Sequence, residues 1–198
     1  MGVIDLEKHF AFYGAYHSNK INVLIHTIFV WPIFFTLLIL ESFTPSIGLL
    51  PFPPGTLPFQ EFMVLNLSFV TAIVYGLFYV LLDKKAGTIA GVLCLICWIS
   101  SNALAQRLGF SLAWKVILVS QLVCWTGQCI GHGVFEKRAP ALMDNLVQAI
   151  LMAPFFVLLE ALQKFYNYEP YPGFEKSVRT KVQANIKELR MKKQKKSA

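Results

Sequence analysis

Charged side chains are scarce in this sequence. Asp, Glu, Lys and Arg make up 15% of the 198 residues, against about 25% in soluble proteins, and 56% of the residues are apolar. Four long blocks contain no charged side chain at all: 21–40, 63–82, 86–105 and 116–133. A helix needs about twenty residues to cross the ~30 Å hydrocarbon core of a bilayer. The sequence therefore predicts an all-α polytopic membrane protein with four transmembrane helices, and it argues against a soluble bundle.

The sequence also lacks the features of several common protein classes. The first uncharged block follows a mixed segment with Asp5, Glu7 and Lys8, which is not the pattern of a cleaved signal peptide. All four cysteines lie inside predicted spans, where a thiol behaves as an apolar side chain, and the pair Cys94-x-x-Cys97 has no partner pair at zinc-site spacing. No G-x-G-x-x-G fingerprint and no internal repeat is present. These absences disfavour a nucleotide site and a cysteine-based metal or redox site.

The segments around the spans have distinct compositions. Residues 4–17 are aromatic and loosely amphipathic, which predicts an N-terminal helix lying in the membrane interface. The proline-rich stretch 41–60 predicts a loop, and 83–85 predicts a tight turn. A fifth apolar stretch, 146–159, is short and is followed by Glu160, so we expect a re-entrant or fifth membrane segment that ends there.

Lys and Arg near the span ends predict the orientation. The 41–60 loop has neither residue, which favours the lumenal side, while the 83–85 turn and the C-terminal segment are basic and favour the cytosol. Two basic residues between the third and fourth blocks would lie on the lumenal side and do not fit this orientation. We expect one membrane-embedded catalytic domain over 1–173 and a basic cytosolic tail over 174–198, with both termini cytosolic.

Three of the four histidines fall near the predicted cytosolic boundary. His26 lies inside the first span, where an ionisable side chain is a functional candidate. His17 would face the opposite way on an unbroken helix, but Asn19 is a plausible N-cap that breaks the chain between them. His132 and Glu136, four residues apart, share a helical face. Three neutral imidazoles with a carboxylate suit a first-row transition metal, iron or zinc above all.

Other interpretations of these residues stay open. Glu136 either binds the metal directly or orients a histidine. Without a metal, His26 would hydrogen-bond a neighbouring helix and His132 would cap a helix end. His9, beside Lys8, is interpreted as a solvated or interfacial side chain. Glu160 is expected to pair with Lys164 one helical turn later.

Two longer stretches resemble one protein family. They are FYGAYHSNKINVLIH (12–26) and WTGQCIGHGVFEKRAPALMDNLVQAILMAPFFVLLE (125–160). Both are similar to the hallmark motifs of a family of small membrane proteins that includes the fungal endoplasmic-reticulum 2-hydroxy fatty acid dioxygenase of phytosphingosine breakdown. The resemblance implies an Fe(II)-dependent enzyme that uses O₂ to decarboxylate a 2-hydroxy fatty acid to the acid one carbon shorter.

The resemblance also assigns roles to residues. His17, His26 and His132 match the family's motif histidines and are the implied iron ligands. Glu136 and Asn22 match its carboxylate and an asparagine, and they are the implied catalytic residues.

Further expectations concern the substrate and the compartment. Lys137 or Arg138 would pair with the substrate carboxylate, although positive-inside topology explains both equally well. The ending Lys195-Lys196-Ser197-Ala198 resembles a dilysine retrieval signal of endoplasmic-reticulum membrane proteins. We expect membrane lipids and no nucleic acid as partners. The alternative function is a non-enzymatic lipid-binding or scaffold protein with a tail that touches anionic head groups.

Overall fold

A computed structural model describes residues 4–50, 52–137 and 148–197. Over these ranges the chain forms α-helices and no strand, so the all-α prediction is confirmed. The α-helices are α1 (Leu6–Tyr16), α2 (Lys20–Glu41), α3 (Leu67–Leu82), α4 (Lys84–Ile130), α5 (Ala153–Tyr166) and α6 (Phe174–Ser197). A 3₁₀ turn covers Gln60–Phe62, and π-helical turns cover Gly131–Glu136 and Gln148–Met152.

Short polar side chains set where the apolar helices begin. The Asn19 side chain accepts a hydrogen bond from the Ile21 amide at 2.9 Å, which confirms the predicted cap of α2. Asn66 caps α3, so that helix begins after the first residues of the second uncharged block. The predicted tight turn is a single residue, Asp83, whose carboxylate accepts the Ala86 amide at 2.7 Å and starts α4.

Several helices are apolar enough for a membrane. Lys20–Glu41, Lys84–Glu136 and Ala149–Tyr166 have the length and composition to cross one, and Leu67–Leu82 is apolar but shorter. The third and fourth uncharged blocks both lie in α4, which has a kink at Gly109, where the backbone is non-helical with φ 64° and ψ 161°. Glycine tolerates this positive φ because it has no Cβ.

The fifth apolar segment differs from expectation at its end. Glu160 does not end the helix, because α5 continues through it to Tyr166. The carboxylate accepts a hydrogen bond from the Tyr13 hydroxyl at 3.1 Å, which satisfies a polar group inside an apolar helix. The expected pair with Lys164 is not a direct ion pair. The Lys164 charge acts on the Glu160 carboxylate at longer range, while its ammonium lies over the Phe165 ring at 5.7 Å from its centroid.

The helices divide into two compact units. One comprises Met1–Thr27 with Gln128–Ala198, and the other comprises Ile28–Gly127. In the first unit, Phe10 of α1 packs against Phe156 of α5 and Phe174 of α6, with ring centroids 5.5 and 5.9 Å away. In the second unit, a buried hydrogen bond of 2.7 Å joins Asn66 to Asn102. The separation of a catalytic domain from a tail at residue 173 stays a prediction.

Candidate metal centre

Three histidines from separate segments meet in the first unit. His17 follows the last residue of α1, His26 lies on the second turn of α2, and His132 lies on the π-helical turn after α4. Their nitrogen atoms, one from each ring, all lie within 4.8 Å of one another. The ring centroids are 4.3 Å apart for His17 and His26, 4.9 Å for His17 and His132, and 4.8 Å for His26 and His132. The Ser18-Asn19 break is what allows His17 and His26 to face each other.

Hydrogen bonds indicate which nitrogen of each ring carries the proton. His17 Nδ1 lies 2.8 Å from the Tyr13 carbonyl oxygen, and His26 Nδ1 lies 2.9 Å from that of Asn22. A carbonyl only accepts, so each Nδ1 bears the hydrogen and each Nε2 has a lone pair with which it can accept a hydrogen or bind a metal. Within the described part of the chain, His17 Nε2 and His132 Nδ1 are buried without a hydrogen-bond partner. His26 Nε2 and His132 Nε2 are 3.1 Å apart.

This donor set fits a transition metal. Burial lowers the pKa of His17 well below its ordinary value, and the neighbouring His26 adds to the effect. The imidazole is therefore neutral near pH 7 and can donate its lone pair. Three neutral nitrogen donors suit iron or zinc, whereas magnesium and calcium require oxygen ligands. Two unpartnered buried nitrogens are costly unless something binds them, and a metal ion would do so.

The Glu136 carboxylate accepts hydrogen bonds from the break between α1 and α2. Its two oxygens accept hydrogen bonds from the Ser18 amide at 3.1 Å, from the Ser18 hydroxyl and from the Asn19 amide at 2.9 Å. The Asn22 side-chain amide donates a further bond at 3.3 Å. The carboxylate thus ties the break between α1 and α2 to the segment that carries His132. Of the two sequence alternatives, this geometry favours orientation of the histidines over direct binding.

Asn22 lies fully buried beside the histidines. Its side-chain amide also donates to the Tyr16 backbone carbonyl at 3.3 Å. The backbone carbonyl of Asn22 accepts the His26 Nδ1 hydrogen. A Cβ at Gly131 would clash with Asn22 Oδ1, so only glycine permits this approach of the π-helical turn to α2. Gly133 has nothing within 4 Å of its Cβ position.

The remaining predicted residues are outside the cluster. Lys137 is exposed at the end of the π-helical turn, and Arg138 lies outside the described residues. The interpretation of His9 as solvated was wrong, because its side chain is buried. Its position is four residues before Tyr13, which places the two side chains on one face of α1.

Sequence reasoning missed the pair formed by Tyr13 and Glu160, of which Tyr13 lies beside His17. The Tyr13 ring stacks on the His17 imidazole with centroids 4.0 Å apart and planes 19° apart. Its hydroxyl bonds to Glu160 of α5. The i, i+4 spacing of Tyr13 and His17 and the carboxylate in an apolar stretch were the available signals.

Comparison with known proteins places this chain in a family. Residues 3–165 match the family described as "2-hydroxy-palmitic acid dioxygenase Mpo1-like". The chain belongs to the Mpo1-like family. The matched range contains His17, His26, His132 and Glu136, and it ends before α6.

A relative of the Mpo1-like chain is similar over most of its length. The chain is 36% identical over 166 residues to the 2-hydroxy-palmitic acid dioxygenase MPO1 of Saccharomyces cerevisiae, which covers 82% of this chain and 83% of the relative. No solved structure matches the chain significantly.

Proposed function

We propose that this chain is an iron(II)-dependent dioxygenase that shortens 2-hydroxy fatty acids by one carbon. The reaction R–CH(OH)–COOH + O₂ → R–COOH + CO₂ + H₂O balances with the substrate supplying all four electrons. It needs no nicotinamide, flavin or 2-oxo acid, and the sequence has no nucleotide fingerprint. Membership of the Mpo1-like family and the activity for which the yeast relative is named support the substrate class.

The observation that carries the proposal is the convergence of three imidazoles with their nitrogens within 4.8 Å. His17, His26 and His132 would hold the ion. Bound iron(II) would activate dioxygen and offer coordination positions to the substrate's oxygen atoms. A ligand set of neutral histidines leaves that positive charge available to an anionic 2-hydroxy acid.

Other residues would maintain the site. Glu136 accepts the backbone amide of Asn19 and so fixes the conformation of the Ser18-Asn19 break. The backbone carbonyl of Asn22 accepts the His26 Nδ1 hydrogen. Both residues would therefore act by positioning the histidines. Lys137 or Arg138, directly after the His132 segment, would pair with the substrate carboxylate. The acyl chain would lie among apolar helices, where a membrane-dissolved substrate already resides.

We further infer four membrane crossings with both termini cytosolic. Helix α6 contacts α1 through the Lys181–Glu7 ion pair at 2.9 Å, so the two helices lie on one side of the membrane. An even number of crossings between them is then required. α2, α3 and the two halves of α4 supply four, which makes 148–166 re-entrant. We further infer an endoplasmic-reticulum location, which the resemblance of 12–26 and 125–160 to the motifs of an endoplasmic-reticulum family supports.

The first test is metal analysis of detergent-purified protein, followed by anaerobic Fe(II) loading and an assay with 2-hydroxypalmitate under air. One iron ion per chain and oxygen-dependent formation of pentadecanoic acid are expected. His17→Ala, His26→Ala and His132→Ala should each lose bound iron and activity. His9→Gln, which changes the histidine outside the cluster, should keep both.

The opposite result favours the alternative. If the folded wild-type protein binds no iron and leaves the substrate untouched, a membrane lipid-binding or scaffold protein becomes the better account. If the three histidine variants retain iron and turnover, the site assignment is wrong even though the activity stands.

A further inference from the structure

A carboxylate inside an apolar helix is the strongest feature that the proposed chemistry leaves unexplained. Glu160 lies on α5, in the stretch Ala149–Tyr166 that has the composition of a membrane helix. An ionisable side chain there is costly and is expected to have a function and a partner. The partner is the Tyr13 hydroxyl at 3.1 Å, on a side chain that is itself buried.

Tyr13 holds His17 in two ways. Its carbonyl oxygen accepts the His17 Nδ1 hydrogen at 2.8 Å, which leaves the Nε2 lone pair directed away from α1. Its ring stacks on the imidazole at 4.0 Å, which restricts the plane of the histidine ring. The same tyrosine ring contacts Phe156 of α5 at 5.3 Å between centroids. Helix α5 therefore fixes the tyrosine ring through Glu160 and Phe156.

We propose that Glu160 and Tyr13 are positioning residues that lock the ring of His17 for metal binding, an inference that rests on the proposed function. Histidine ligands are commonly oriented by hydrogen bonds from outside the ligand set, and loss of such partners lowers metal affinity about 10–100-fold. Here the orienting contact is relayed through an aromatic ring, and its far end is anchored on a different helix.

Three substitutions distinguish the effect of the Tyr13–Glu160 hydrogen bond from that of general packing. Tyr13→Phe keeps the ring and its stacking but removes the hydroxyl. Glu160→Leu removes the acceptor, whereas Glu160→Gln keeps an acceptor oxygen at the same place. Tyr79→Phe is the matched control, because it removes the hydroxyl of another fully buried tyrosine, on α3 of the other unit.

The deciding measurement uses the metal-free, full-length protein in detergent with ¹⁵N-labelled histidine. NMR should show His17 of the wild type in one tautomer, with hydrogen on Nδ1. Tyr13→Phe and Glu160→Leu should show two exchanging tautomers or a broadened His17 ring signal, while Glu160→Gln and Tyr79→Phe should match the wild type. An unchanged His17 signal in Tyr13→Phe and Glu160→Leu would overturn the proposal.

A second readout tests the consequence for the metal. Co(II) titration with a competing chelator should show about a 10–100-fold lower affinity in Tyr13→Phe and Glu160→Leu, with altered visible absorption bands, and no change in Glu160→Gln. Equal affinity and spectra in all variants would contradict the relay. If the NMR changes occur but the wild type binds no metal, the positioning of His17 stands and the iron-dependent function fails.

Discussion

At the scale of single residues, the two glycines beside His132 have different surroundings. A methyl group at Gly131 would fall on Asn22 Oδ1, which is fully buried, while one at Gly133 meets nothing within 4 Å. Overpacking a buried site lowers the free energy of unfolding by about 1–3 kcal/mol. In a helix interior, alanine is more stabilising than glycine by about 1 kcal/mol.

We therefore expect Gly131→Ala to lower the melting temperature and the Co(II) affinity, and Gly133→Ala to preserve the Co(II) affinity and to raise the melting temperature slightly. Thermal unfolding in detergent and chelator competition measure the two effects. Indistinguishable behaviour of the two variants would mean that the approach of Asn22 to the π-helical turn does not control the site.

Glu136 offers a second residue-scale prediction. A glutamine at this position keeps one acceptor oxygen but presents an NH₂ group in place of the other, so the donors of Ser18, Asn19 and Asn22 must share a single acceptor. Glu136→Gln should lower Co(II) affinity about 10–100-fold while leaving helix content intact by circular dichroism. Glu175→Gln, which changes an exposed carboxylate of α6, serves as the control. Wild-type affinity in Glu136→Gln would show that the carboxylate does not maintain the cluster.

That His17 and His26 face each other could be predicted from sequence because the two are close along the chain, whereas His132, 106 residues after His26, was placed with them by the predicted topology and the motif resemblance. An N-cap at Asn19 breaks the chain between His17 and His26, and a capping residue is recognisable from its type and position. The anchoring of Tyr13 by Glu160 joins residues 147 positions apart, and no local pattern specifies such a pair. The burial of His9 was missed for the same reason, since a short amphipathic helix reveals its inner face only when its neighbours are known.

At the scale of elements, one carboxylate joins α1 to α6 in addition to the packing of Phe10 on Phe174. Glu7 accepts hydrogen bonds from Tyr171 and Ser177 and pairs with Lys181. The contact with Lys181, followed by those with the two hydroxyls, lowers the Glu7 pKa from 4.5 to about 2. A carboxylate with a depressed folded-state pKa stabilises the docked state above its ordinary pKa and loses that contribution as it is protonated.

Docking of α6 should therefore be constant down to about pH 4.5 and weaken as the pH falls toward about 2. The Val182 methyl resonances report this contact, because Val182 packs directly against Gly14 of α1. Glu7→Gln should show the weakened state even at pH 7, and Glu175→Gln should not. A Val182 signal that changes neither with pH nor in the Glu7→Gln variant would show that apolar packing alone holds α6.

Helix ends were predicted well where a side chain caps them and poorly where tertiary contacts decide. Asn19 caps α2 as its residue type indicates, and the turn expected at 83–85 is confined to Asp83, which caps α4. The extension of α5 beyond Glu160 depends on a hydrogen-bond partner from α1, so sequence alone placed the end too early. The break at Gly109 was not located because a lone glycine in a helical pattern is also compatible with an unbroken helix.

At the scale of the whole molecule, the net charge is concentrated in one element. Residues 174–198 contain nine Lys or Arg and two Glu, a net charge of +7, which equals the net charge of the entire chain. Residues 1–173 are therefore formally neutral. A basic segment resists translocation, so this asymmetry favours a cytosolic α6. The contact of α6 with α1 then requires a cytosolic N-terminal helix as well.

This topology predicts where N-glycosylation acceptor sites are modified in sealed microsomes. An acceptor inserted within 42–50 should be glycosylated, because in this topology that loop would face the lumen, whereas acceptors appended at either terminus should not. An acceptor at the Asp83 turn is the internal cytosolic control. The native Asn66-Leu67-Ser68 sequence fits the acceptor pattern, but Asn66 is fully buried at the start of α3, so the unaltered chain provides the baseline. Glycosylation at the C-terminus alone would require a fifth crossing, and it would be incompatible with the docking of α6 on α1.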